Sequence, residues 1–471
     1  MKHLKLAVAA VLALAVGSAY GQATEVNFKS PINYLNTNAL TGFHAGGVAA
    51  CEGCHVMHNA SDGQAMTVKS GTGVPLRSDR TNSYLLQGSD QSSTCLICHR
   101  GNAGTNEFTV LDTSATVSSS TTNFTPGGDF AWLNVTGAGA TPTPGNRHGH
   151  SIYSGDFSVG GIAATAITAP GSGTTPWRTG TSGTSQFACT SCHDPHGKYR
   201  MTSLAGVLTI AATGAPITQS GSYGLGASAG TTIPAGTAIG VYRLLGGKLY
   251  KPASNASAST FSQDPPIAVA PQNYNRSESG SEVRVAYGTG MSEWCANCHG
   301  NLHMPNTVTG APGTRHVTGN AAILKETIAA NYNTYLSSGN MNGAATGTYT
   351  SLVPFESQVT TISGGPDTLY GGAQSTSGTP AIFQATAAKT VMCLSCHRAH
   401  ASGFSSMTRW SNLTTFLTTA GGGFTAQEGL DATQAQIAYY MRPVSATALT
   451  ATGYGFGPNQ RSLCNKCHAK D

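Results

Sequence analysis

Six copies of Cys-x-x-Cys-His constrain this chain more than any other feature of its 471 residues. All twelve cysteines lie in them: Cys51 and Cys54, Cys95 and Cys98, Cys189 and Cys192, Cys295 and Cys298, Cys393 and Cys396, and Cys464 and Cys467. At the Cys and His frequencies of this sequence, a chance copy is expected in about one chain in a hundred, so six copies reflect chemistry. Two thiols three residues apart on a helical turn can each add to one vinyl group of the same porphyrin. The next residue then presents an imidazole to the iron from one side. The motifs therefore predict six covalently bound haem c groups, with proximal iron ligands His55, His99, His193, His299, His397 and His468. Zinc ribbons use Cys-x-x-Cys pairs but need no His after each second Cys. Thioredoxin-like sites come singly on a βαβ unit, which is absent here.

A six-coordinate haem also needs a ligand on its other face. From His44 onward the chain has eight further histidines: His44, His58, His148, His150, His196, His303, His316 and His400. In Arg147-His148-Gly149-His150 one ligand is expected; His150 is favoured and His148 is the spare. That leaves His44, His58, His150, His196, His303, His316 and His400 as distal candidates for six irons, one of them in surplus. His58, His196 and His400 each follow a proximal His by three residues and His303 by four, positions that share or nearly share a helical face. The backbone between the two is too short to cross a porphyrin, so the second His must serve a neighbouring haem. One short segment ligating two irons forces haems close together. Methionine is a rival ligand that raises the potential, but the histidine surplus makes bis-His the simpler assignment.

The rest of the chain is built to wrap. Only 10% of residues are charged, 59 are glycine, and long stretches are Ala, Gly, Ser and Thr. Such a chain buries little apolar side chain against its ordering entropy, so the haems are expected to supply most of the apolar core. The predicted fold is mostly irregular and loop-rich, with short helices and few strands wrapped around closely stacked haems. Loops are expected over 112–129, 170–186 and 212–239, and helices near 321–337 and 432–441. No fixed-period repeat is visible outside the motifs. Lys2 and Lys5, an apolar run over 6–16 and small residues to position 23 read as a secretory signal. This gives a signal over 1–23 and a single hexahaem domain over 24–471, exported and not integral to a membrane. The formal charge of +5 becomes about −3 once the signal is lost and six oxidised bis-His haems with their propionates are added, so basicity is no sign of nucleic-acid binding. Arg100 and Arg398, directly after proximal histidines, are candidates to pair with propionates or are simply exposed charges.

Several longer segments carry a family resemblance: 43–59 (FHAGGVAACEGCHVMHN), 125–132 (TPGGDFAW), 191–200 (SCHDPHGKYR), 284–299 (RVAYGTGMSEWCANCH), 393–409 (CLSCHRAHASGFSSMTR) and 463–471 (LCNKCHAKD). In them the chain resembles the OmcS-type outer-surface hexahaem cytochromes, which polymerise into conducting filaments. The resemblance implies bis-His ligation throughout and subunits joined head to tail in an open heterologous assembly. It implies that His58 reaches into a neighbouring copy to ligate the haem at His397. Residues 24–43 and the glycine-rich loops depart from the family pattern.

The resulting expectation is an electron carrier at the outer surface of the cell. It would receive electrons from periplasmic or outer-membrane cytochromes and deliver them to extracellular acceptors such as metal oxides. A multihaem reductase would need one iron with an open face, which the histidine surplus argues against. A monomeric shuttle would share the same haem chemistry and differ only in assembly.

Overall fold

The computed structural model describes residues 54–55, 60–61, 64–65, 85–88, 90–101, 109–113, 124–134, 148–157, 159, 187–204, 207–211, 217–219, 236, 238–252, 260–269, 285–300, 302, 316–335, 338–342, 353–363, 369, 386–441, 444 and 456–468. All lie in the compact unit Leu35–Asp471. The expected signal, residues 24–43 and the 170–186 loop fall outside them. Most of what is described is irregular backbone. Its helices are short: α1 Gln91–His99, α2 Met291–His299, α3 Glu326–Thr334, α4 Cys393–Cys396, α5 Ala432–Ala438 and α6 Cys464–His468. None is long and apolar enough to cross a membrane.

Local chemistry sets the helix ends. Helix α1 starts at Asp90, whose carboxylate accepts from Ser93 N at 2.9 Å and so satisfies one amide that a helix start leaves open. The same carboxylate accepts from Gly155 N at 2.7 Å, tying the 148–157 segment to the helix that carries the second motif. Helix α5 starts on a reciprocal pair: Gln434 N donates to Asp431 Oδ1 (2.8 Å) and Asp431 N to Gln434 Oε1 (3.0 Å). Helices α3 and α5 answer the expectations near 321–337 and 432–441. Helix α3 begins later than expected because Leu324 N donates to Lys389 O (2.8 Å), which holds the preceding residues extended. Its far end is closed by Lys466, whose Nζ donates to Tyr332 O (2.8 Å) and Tyr335 O (3.0 Å). An ammonium suits the open carbonyls of a helix C-terminus, and this contact joins α3 to α6.

Two sheets of four or more strands, with two two-stranded pairs besides, complete the frame of the described residues. One has five strands in the order Ile362–Ser363, Val207–Ala211, Arg200–Leu204, Ala238–Gly240, Ile217–Gln219. The other has four, in the order Thr390–Val391, Phe355–Glu356, Ala286–Tyr287, Ala268–Val269. The 212–239 stretch, read as loop, thus contributes two strands. Ile217 and Ile239 are buried there, and β-branched residues suit a half-buried pleat.

Side chains also build a core of their own. Around α5, Phe404, Leu417, Phe424, Tyr439 and Phe456 are buried together. Tyr439 stacks on Phe424 with ring centres 4.9 Å apart and meets Phe404 at 4.8 Å. The expectation of a core built mostly by cofactor is therefore too low for the last part of the chain, where large apolar residues concentrate. Gly127 and Gly128 let the 124–134 segment close onto this body. Gly128 has φ +86°, and a Cβ there would land on Ala401 O.

Candidate haem sites

Each motif past the first sits on a helical turn, as expected. Helices α1, α2 and α6 carry the second, fourth and sixth motifs whole, α4 carries the cysteines of the fifth, and a 3-10 turn Cys189–Ser191 opens the third. Cys54 lies in a turn and His55 bridges to Leu86. Cys51, His44, His58 and His303 lie outside the described residues. After the third and fifth motifs the chain does not continue helically, contrary to expectation. Pro195 follows His193 by two residues, and proline disfavours helix at itself and before it. His397 is extended, its N–H turned back to Cys393 O. His196 and His400 are thus carried away from their own proximal histidines.

They meet other ones. His196 stands opposite His55 with ring centres 6.3 Å apart and planes 9° apart. His400 stands 6.3 Å from His193, at 57°. His150 stands 5.9 Å from His299, at 40°, and His316 stands 6.2 Å from His468, at 81°. A histidine nitrogen binds a first-row metal at about 2.0–2.1 Å and its ring centre lies about 1.1 Å beyond, so two rings facing across one ion are about 6.3 Å apart. All four separations suit an iron between the rings. His148 has no such ring opposite it among the described residues; its Nδ1 lies 3.1 Å from Ser402 O. Nor does any ring face His397 at this spacing among them.

Hydrogen bonds orient the imidazoles. Nδ1 of His193 lies 2.7 Å from Arg243 O, that of His150 2.6 Å from Ala399 O, that of His397 2.8 Å from Ser406 O, and that of His400 3.2 Å from Gly128 O. A neutral imidazole donating from Nδ1 to a carbonyl keeps the Nε2 lone pair for a metal. Burial holds these rings neutral: it lowers His150, His193 and His397, and takes His400 down to about 3. Gly127 contributes by closeness, because a Cβ there would press on the His400 ring.

The sulfurs run through the protein in chain order. Cys54 lies within electrostatic reach of Cys95 and Cys98, Cys192 of Cys295 and Cys298, and Cys396 of Cys464 and Cys467. Two pairs are closer: the thiol of Cys95 lies against that of Cys189, and the thiol of Cys295 against that of Cys393. Burial pushes the Cys98 thiol up to about 11 and those of Cys192 and Cys396 up to about 12. Among the described residues no three His, Cys, Asp or Glu side chains converge as a metal cage.

The two close contacts belong to one repeated arrangement that the sequence did not disclose. Cys189 N donates to Ser92 Oγ (3.2 Å), and Cys393 N to Ser292 Oγ (3.0 Å). Ala188 N donates to Ser191 Oγ and Met392 N to Ser395 Oγ, both at 3.0 Å. The second motif thus pairs with the third as the fourth does with the fifth. The available signal was a serine three residues before Cys95 and Cys295 and the shared Cys-x-Ser-Cys of the third and fifth motifs. Arg398 departs from expectation. It is 1% exposed, its guanidinium lies 3.7 Å over the Tyr440 ring and donates to Pro126 O at 3.1 Å. It clamps the 124–134 segment and is buried, not the exposed charge that was one of its two expected roles. Arg100 lies over the Phe157 ring at 4.5 Å.

Opposed neutral imidazoles between closely spaced pairs of attachment cysteines define a multihaem c-type cytochrome. No family model matches the sequence, but individual relatives do. The chain is 40% identical over 456 residues to the C-type cytochrome OmcS of Geobacter sulfurreducens, covering 93% of this chain and 96% of that protein. It belongs to the OmcS family of c-type cytochromes, whose haem is covalently bound. Cryo-EM structures of OmcS nanowires and of the outer membrane cytochrome S filament from the same organism are also similar. Their TM-scores are 0.70 and 0.68, at 38% and 39% identity, over 91% of this chain and all of theirs.

Proposed function

We propose that this protein is a secreted conductor of electrons. It holds six haem c groups, each between two histidines, and polymerises head to tail at the cell's outer surface to serve extracellular acceptors such as metal oxides. Haem c supplies a one-electron iron couple, and a close row of them passes electrons by hopping. The chain's own part is to bind, orient and close off each iron. In this reading His55 works with His196, His193 with His400, His299 with His150 and His468 with His316, while His148 stays spare. Residues 1–23 direct export and 24–471 form one hexahaem body. Periplasmic or outer-membrane cytochromes are the electron donors. The protein is a carrier rather than an enzyme, because both faces of each iron so assigned are filled.

The observation that carries the reading is a step of two motifs. His196, from the third motif's segment, faces the first motif's His55, and His400, from the fifth's, faces the third's His193. The same step takes His58, from the first motif's segment, to the fifth motif of a preceding copy, where His397 awaits a ligand. It takes His303 to His99, with His44 as the alternative. Pairing follows the same rhythm. The second motif joins the third and the fourth joins the fifth, so the sixth and first can pair only between copies. A heterologous contact of this kind repeats without closing and yields a filament. The nanowires of the OmcS relative agree with this assembly.

The test is cryo-EM of the native, surface-sheared protein. A continuous filament with six haem densities per copy, and His58 of one copy on the iron bound by His397 of the preceding copy, is expected. Discrete particles with every iron ligated internally would replace the wire by a shuttle. An iron with an empty face would favour a reductase.

A further inference from the structure

Glu356 is buried at the junction of the fourth and fifth attachment motifs, with no exposed surface. Its Oε1 accepts from Met291 N at 2.7 Å, the first residue of α2. Its Oε2 accepts from Thr390 Oγ1 at 3.4 Å, and Gln358 Nε2 donates to the same hydroxyl at 2.8 Å. Directly beside it the two motifs are joined by Cys393 N donating to Ser292 Oγ and by the contact of Cys295 with Cys393.

The titratable neighbours do not favour a carboxylate. Glu293, facing it from α2, is acidic and accepts from Asn320 N at 2.8 Å. Cys393 is a neutral thioether once haem is attached. Tyr287, on the adjoining strand, turns its hydroxyl to Tyr242 Oη at 3.3 Å. Lys389 precedes Thr390 on the strand opposite Glu356, and alternation along a strand sends it to the other face. Burial pushes the Glu356 carboxyl up to about 8, opposed in part by the Met291 amide. A helix start could be capped by serine or asparagine without such a cost. The charge added when a nearby ferric haem is reduced favours protonation of a buried acid.

We propose that Glu356 is a proton-accepting site coupled to electron arrival at the fourth and fifth haems: as one electron enters an attached haem, one proton from solvent joins the Glu356 carboxylate. This rests on the haem reading above. The protein would then move protons locally as electrons pass, a function that conduction alone does not require.

The experiment compares haem-loaded, full-length wild type with E356Q by reduced-minus-oxidised infrared spectroscopy and by potentiometry across pH. Gln keeps an acceptor for Met291 N, so the helix cap survives while the proton site is lost. In wild type a protonated-carboxyl signal is expected to grow on reduction at and above about pH 8; E356Q should lack it, and its potentials should fall less with pH. Identical carboxyl signals and pH slopes in the two proteins would overturn the proposal. If E356Q does not accumulate, glutamate-labelled wild type decides: no glutamate carboxyl band responding to reduction refutes it. Haem stoichiometry and the low-spin optical spectrum, measured on the same samples, report separately on the haem reading.

Discussion

Replacing His196 with Ala tests the ligand geometry where the sequence asks only for a neighbouring haem and the structure puts one particular ring, that of His55, opposite. His196 lies three residues after His193 in the chain, yet its ring stands 6.3 Å from that of His55, with the planes nearly parallel. His193 faces His400 instead, also at 6.3 Å. In the proposed pairing, H196A opens one face of the iron ligated by His55, in the haem attached at Cys51 and Cys54, and leaves the iron at His193 intact. One iron in six changes, so the low-spin signal of the oxidised protein should fall by about one sixth, with an equal gain of high-spin iron. H196A/H400A should lose about one third, because those two side chains serve different irons. Spin counting by electron paramagnetic resonance measures the loss, added imidazole should restore it, and a cryo-EM map locates it. Full low-spin intensity in H196A, or an open face on the haem attached at Cys189 and Cys192, would refute the pairing.

Other outcomes follow from the same structure. H150Q should open one iron while H148Q leaves every iron low-spin, which the same spin count checks. G128A puts a Cβ onto Ala401 O at φ +86°; it should cost about 2–4 kcal/mol in chemical denaturation and loosen His400. F404A removes a fully buried ring and should cost about 3–5 kcal/mol, with the haem spectrum of the folded protein unchanged. Glu356 binds its proton more tightly folded, at about 8, than unfolded, at about 4.5. Its stabilising contribution is therefore present in full below about pH 4.5 and lost as pH rises through about 8, so wild type should lose about 3–5 kcal/mol over that window relative to E356Q in denaturation midpoints at stepped pH.

The attachment chemistry was legible because it is local. Five contiguous residues are enough to predict two thioethers and an imidazole for one porphyrin, and no tertiary contact is needed to see it. The structure puts the His150 ring opposite that of His299, a placement that the neighbouring residues of the sequence could not decide between His148 and His150. The pairing of His196 with His55 was not readable, because it depends on where the chain leaves the third motif, which Pro195 and the bonds of Asp194 to the amides of His196 and Lys198 determine. The serine links at Ser92 and Ser292 were hidden for a different reason. Each joins segments far apart in sequence, and a lone serine in the first turn of a helix carries no signal of such a link. The aromatic body around Tyr439 was underestimated because composition averages over the whole chain, while Phe404, Phe424 and Phe456 all fall in one part of it.

The meeting of Cys95 with Cys189, and of Cys295 with Cys393, bears on the order in which the protein can be made. Outside the cytoplasm, neighbouring thiols oxidise readily. A chain that collapsed before modification would bring sulfurs of different motifs together and close them as cross-motif disulfides, each consuming two attachment points. Attaching the porphyrins before tertiary closure removes that hazard, because a thioether sulfur has no proton left to lose to a disulfide.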